Sequence, residues 1–165
     1  MTSIEPAFAG WPVLNERLRA AVAAMADQHL ALQPTPERWP LWATIGHLCC
    51  QRVSWLCGFA GEPGADQTPF PNALYSCPGD EYLEPVLSRE QLLDAIDSTF
   101  RVVQSCLERW SPEYAAFEIR RGDGEEEAVH SRGWILSRAL AHDAYHCAEV
   151  NETLSARGLP LIDLW

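Results

Sequence analysis

Four stretches of this chain repeat apolar residues with a period of about 3.6, and clusters of Pro and Gly separate them. That pattern commits the chain to packing amphipathic helices. The first stretch runs from about Trp11 to Leu32, with Leu14, Leu18, Ala21, Val22 and Met25 at helical spacing. Its Ala-rich segment favours helix, and Pro34 and Pro36 end it. The second runs from about Leu41 to Phe59. Ile45, Leu48, Cys49, Trp55, Leu56 and Phe59 fill a broad apolar arc, and His47, Gln51, Ser54 and Gly58 lie opposite. Arg52 falls inside the apolar arc, so its guanidinium must find a partner or reach water. The third opens with Ser88 and Gln91 at capping-box spacing, continues through Leu92, Ile96, Phe100, Val103 and Leu107 to Trp110, and stops before Pro112. The fourth runs from about Arg132 to Ala156 on a stripe of Leu136, Leu140, Cys147, Val150 and Leu154, with Gly158 and Pro160 as stop signals.

Four helices of roughly 20 residues predict an all-α protein, a four-helix bundle forming one domain over residues 1–165. Two connections are long. Residues 60–87 are rich in Pro and Gly, and residues 111–131 carry the acidic run Glu125-Glu126-Glu127. Connections of this length often bind ligands, and an acidic run is usually a solvated face. A minor hairpin turning at Gly122-Asp123-Gly124 fits the second connection.

Charge narrows the partners. The net charge is −11, and the 12 basic residues are all Arg, scattered along the chain. Nucleic acid, which needs clustered cations, is not expected as a partner. The absence of Lys excludes Schiff-base and P-loop chemistry. No apolar run is long enough to span a bilayer, and the opening MTSIEPAFAGWPVLNERL lacks signal-peptide character, so the expectation is a cytoplasmic protein without a membrane partner. Cys49, Cys50, Cys57, Cys106 and Cys147 fall within helical patterns, and no CxxC occurs. All six cysteines are therefore expected as free thiols, Cys77 alone lying in a loop.

The fourth helix contains AHDAYHCAEVNE. On a helix, His142 and His146 stand one turn apart, and Glu149 falls close to His142 around the axis. With Thr153 and, at the head, Arg138, they form a polar stripe bordering the core stripe. An i,i+4 histidine pair lets two imidazoles converge on one divalent ion, but a third ligand must come from elsewhere. His47 is a candidate, although an exposed polar face explains it equally well. His29 reads as a boundary histidine in line with Val22 and Met25, and His130 as a solvated loop residue.

TIGHLCCQRVSWL on the second helix, HDAYHCAEVNETL on the fourth and the tail GLPLIDLW together resemble the DinB/YfiT-like family of bacterial four-helix bundles. The resemblance covers essentially the whole chain. Its pattern, one histidine early in the second helix and an HxxxH pair in the last long helix, falls on His47, His142 and His146, which it implies are metal ligands. Family members often carry His-x-Gly-Gln where this chain has Ala148 and Glu149. Glu149 thus stands as a fourth ligand, a partner orienting a histidine, or a catalytic base on bound water. The implied metal is zinc first, with nickel, manganese and iron open. The implied activity is that of a metal-dependent transferase using a low-molecular-weight thiol on a small electrophile, or of a hydrolase at the same site. The other class of function is a non-catalytic, stress-related bundle that binds metal or a small molecule. The substrate pocket is expected between the His47 arc, the helix-4 stripe and the connections after helices 2 and 3, with Gln51, Ser54, Arg138 and Tyr145 as candidate contacts. Family habit and abundant Trp suggest a homodimer.

Overall fold

The structure, a computed structural model, describes residues 3–73, 76–79, 83–124 and 127–164. It is mostly helical. The first helix, α1, spans Gly10–Ala24 and stops earlier than its sequence pattern predicts. Met25 and Ala26 are extended, with ψ of 138° and 147°, and a separate turn, α2, covers Asp27–Leu30. The reason is burial. On one straight helix Met25 and Leu30, five positions apart, would point about 140° away from each other. The break lets both enter the same core as Leu18 and Val22. It also takes His29 off the line of Val22 and Met25.

The second long element, α3, spans Leu41–Val53 and continues into a π-helical turn, Ser54–Phe59, where the Ala60 amide donates to the Trp55 carbonyl at 2.9 Å. The wider turn keeps Leu56 buried and sends Trp55 and Phe59 to the side where Trp134 lies, with the Trp55 and Trp134 rings 5.7 Å apart.

The third, α4, spans Arg89–Arg109 and starts as the spacing predicts. The Ser88 hydroxyl accepts from the Gln91 amide (3.3 Å), and the Gln91 side chain accepts from the Ser88 amide (2.8 Å). The connection after it is built rather than loose. A short helix α5, Pro112–Ala116, is capped by Ser111, and strands β1, Glu118–Arg121, and β2, Ala128–Ser131, pair antiparallel with Ile119 opposite His130. The hairpin predicted there is present. His130, however, is no solvated loop residue: it lies in β2, stacked on Trp134 at 3.8 Å. Of the acidic run, Glu127 is exposed and paired with Arg120 at 2.9 Å, while Glu125 and Glu126 lie outside the described residues. The last helix, α6, spans Arg132–Ser155 with Ser131 capping the Trp134 amide.

α3 packs on α4 and α6, and α1 packs on the same two helices. Where they meet, Arg52 is 1 % exposed and finds the partner its position demanded. Its Nε donates to Asp143 Oδ2 at 2.8 Å, Trp11 Nε1 donates to the same oxygen at 2.6 Å, and its Nη1 reaches Thr99 Oγ1 at 3.4 Å. One buried ion pair therefore ties α1, α3, α4 and α6 together.

The cysteines depart from expectation at one pair. Cys50 of α3 and Cys77 of the following connection form a disulfide. Sequence spacing did not indicate it, because only the tertiary fold brings Cys77 back beside α3. Cys49, Cys106 and Cys147 are free thiols, and burial pushes each up to about 12; Cys57 is raised to about 11 for the same reason. They behave as small apolar residues, as expected. No helix among the described residues is long and apolar enough to cross a membrane.

Candidate metal centre

His47 is presented by the second turn of α3, and His142 and His146 by consecutive turns of α6. Packing of α3 on α6 brings the three rings together. Their centroids stand 5.3 Å (His47 to His142), 5.1 Å (His47 to His146) and 4.3 Å (His142 to His146) apart. One ligand nitrogen from each ring lies within 4.8 Å of the others, a grouping that could hold a metal ion. His142 Nε2 and His146 Nε2 face each other at 3.1 Å. Two nitrogens about 2 Å from one tetrahedral ion would stand roughly 3.3 Å apart, so this pair already has ligand spacing.

Two of the rings are locked from behind. His47 Nδ1 lies 2.8 Å from the Pro78 carbonyl, which can only accept, so Nδ1 carries the proton and Nε2 of the neutral ring offers a lone pair. The close approach depends on Gly46, where a Cβ would stand 3.1 Å from Pro78 Cγ and 2.9 Å from Leu87 Cδ1. His146 Nδ1 lies 2.7 Å from Glu149 Oε2, which orients its Nε2 in the same way. His142 is 9 % exposed, and its Nδ1 is buried without a hydrogen-bond partner. Burial, reinforced by His146 and His47, lowers its pKa to about 3. The ring stays neutral at physiological pH, as a ligand must. Facing imidazole nitrogens with their outer nitrogens committed or buried form a donor set that fits a divalent transition metal.

Glu149 faces away from the point between the rings. Besides His146, its carboxylate accepts from Arg38 Nη2 at 2.9 Å and from the Tyr145 hydroxyl at 3.0 Å. The ion pair on this stripe is made by Arg38 and not by Arg138, which is exposed and lies 5.9 Å over the Trp55 ring.

A cavity of about 350 Å³ opens against His146 and is lined by Arg38, Trp39, Thr44, Tyr145, Glu149 and Thr153 among others. Its outer wall is residues 34–39, the segment between α2 and α3. Of the expected contacts, Tyr145 lines it. Gln51, Ser54 and Arg138 do not: the Gln51 amide lies 3.8 Å from Cys77 Sγ, Ser54 begins the π-helical turn, and Arg138 covers Trp55. Sequence reasoning missed Arg38 and Trp39, whose indole lies 4.9 Å from the His47 ring and 6.4 Å from His146. The signal was available, since PERWPLW sets an Arg and a Trp between prolines just ahead of the helix carrying His47.

Residues 14–150 match the DinB superfamily. A DinB-like protein from Bacillus cereus ATCC 10987, known from its crystal structure, shares the fold with a TM-score of 0.70 over 99% of this chain and 98% of that one, at 15% identity. No curated protein matches the sequence. Because the family match covers most of the chain, with all three converging histidines inside it, the chain belongs to the DinB superfamily.

Proposed function

We propose that the protein binds a divalent transition metal through His47, His142 and His146 and uses it on a small electrophilic substrate, as a low-molecular-weight-thiol S-transferase or a hydrolase. In this reading α1, α3, α4 and α6 form a four-helix bundle, one domain that holds the site between α3 and α6. The observation that carries the proposal is the 3.1 Å approach of His142 Nε2 and His146 Nε2 beside His47, with two of the three rings fixed from behind by Pro78 and Glu149. Zinc is the first choice, because three imidazoles suit it. Such an ion would supply a Lewis acid that lowers the pKa of a bound water or thiol.

The chain's own residues do the rest. Glu149 acts here as a positioning residue, holding His146 while Arg38 and Tyr145 hold Glu149. Trp39 shields one side of the rings. Arg38 and Tyr145, on the cavity wall, are the polar groups an incoming substrate meets. Metal content of the purified protein, compared with His142→Ala, tests the site: stoichiometric metal in the parent and little in the variant is expected, and equal metal in both overturns it. A second reading, a non-catalytic metal or small-molecule binding protein, is favoured by one observation. The carboxylate nearest the triad is already committed to three donors and offers no free base. Thiol-dependent turnover of an electrophile that disappears in His47→Ala separates the two readings.

A further inference from the structure

Residues 76–79 meet α3 and the Trp39 cover of His47 at four points. Cys77 is bonded to Cys50, which stands one turn after His47 on α3. Pro78 packs on Gly46, and its carbonyl accepts a hydrogen bond from His47 Nδ1. Gly79 has a φ of +107°, and a Cβ there would stand 2.6 Å from the Trp39 indole, the ring that covers His47. The segment is thus a strap fastened to α3 by one covalent bond, with its next residue fixing the orientation of a candidate ligand.

We propose that the Cys50–Cys77 disulfide is a redox latch on the metal centre: oxidised, it holds Pro78 behind His47 and keeps the site competent; reduced, it frees the strap and weakens metal binding. The proposal rests on the metal-binding reading above. Access to the bond is one-sided. Cys50 is fully buried, whereas Cys77 is half-buried and follows exposed Ser76. A thiolate of a dithiol reductant attacks Cys77 Sγ, the Cys50–Cys77 bond breaks, and Cys50 leaves as a thiolate that takes up a proton. The second thiol of the reductant then attacks the mixed disulfide and releases Cys77. The protein gains two electrons and two protons as two thiols, and the dithiol ends as a disulfide. Without the latch, the His47–Pro78 hydrogen bond depends on noncovalent packing of the strap alone. Loss of an outer hydrogen bond to a ligating histidine lowers metal affinity roughly ten- to a hundredfold.

The test compares zinc affinity of the oxidised full chain with that of the Cys50→Ala/Cys77→Ser variant, which avoids a reductant that would itself chelate metal. Alongside it, NMR follows the His47 Nδ1 proton of the metal-free wild type before and after reduction by a phosphine, so the result does not depend on the variant folding. Affinity at least tenfold weaker in the variant, together with faster exchange of the His47 proton on reduction, is expected. Equal affinities, or an unchanged His47 proton after verified reduction, overturn the latch while leaving the metal site standing. Absence of zinc binding in the oxidised wild type overturns the metal reading and the latch with it.

Discussion

At His142, burial and two neighbouring imidazoles act in the same direction, holding the ring neutral down to a pH of about 3. An unfolded histidine titrates near 6.5. Between those values the unfolded chain binds a proton that the folded, metal-free chain does not. The neutral ring's contribution to stability is therefore fully present above pH ~6.5 and is lost as pH falls towards 3. Urea unfolding of metal-free protein at stepped pH is expected to show a steeper loss below pH 6.5 in the wild type than in His142→Asn. Glu149 makes a different kind of contribution, visible only with metal bound. Glu149→Gln keeps the shape but removes the charge that Arg38, Tyr145 and His146 share, and zinc affinity is expected to fall roughly ten- to a hundredfold. At this scale the sequence disclosed the candidate ligands better than their supports. His142, His146 and Glu149 sit on one helix, where spacing alone relates them. Pro78 acts across the fold, and nothing in its local sequence couples it to a histidine, whereas Trp39 stands just ahead of the His47 helix in PERWPLW.

Among the elements, α4 was legible because its capping box and its apolar period agree, and each alone predicts a helix starting after Ser88. The end of α1 was not. Nothing in AMADQHL breaks a helix locally, and the break comes from placing Met25 and Leu30 in one core. The π-helical turn after Val53 and the disulfide to Cys77 are likewise products of packing. Arg52 lies between these cases: its sequence position demanded a partner without naming one. The pair it forms with Asp143 is buried on both sides, each side chain 1% exposed. Removing one member strands a charge, so Arg52→Met or Asp143→Leu alone is expected to destabilise by about 3–5 kcal/mol in urea unfolding. The double variant Arg52→Met/Asp143→Leu is expected to lose much less than the sum, because neither charge then remains buried. Since Asp143 follows His142 on α6, the single variants are also expected to loosen the helix that carries two of the candidate ligands.

For the whole molecule, the triad joins helices far apart in sequence, α3 and α6, that pack directly on one another. An ion held by all three histidines bridges those helices and binds the folded chain far better than the unfolded one. Folding stability must then rise with metal concentration as RT ln(1 + [L]/Kd), about 2.7 kcal/mol at a hundred times Kd. For a chain of 165 residues, at roughly 2–4 °C per kcal/mol, that raises Tm by roughly 5–10 °C. Thermal unfolding of the metal-stripped protein with and without added zinc is the measurement. His47→Ala removes the candidate ligand on α3, so any ion left on His142 and His146 no longer spans two helices. Its shift is expected to shrink to a small fraction of the wild-type value, whereas a shift preserved in full would mean that the stabilising ion sits elsewhere. His130, stacked on Trp134 and apart from the triad, supplies the control: His130→Gln is expected to keep the full zinc-dependent shift even if its own Tm is lower.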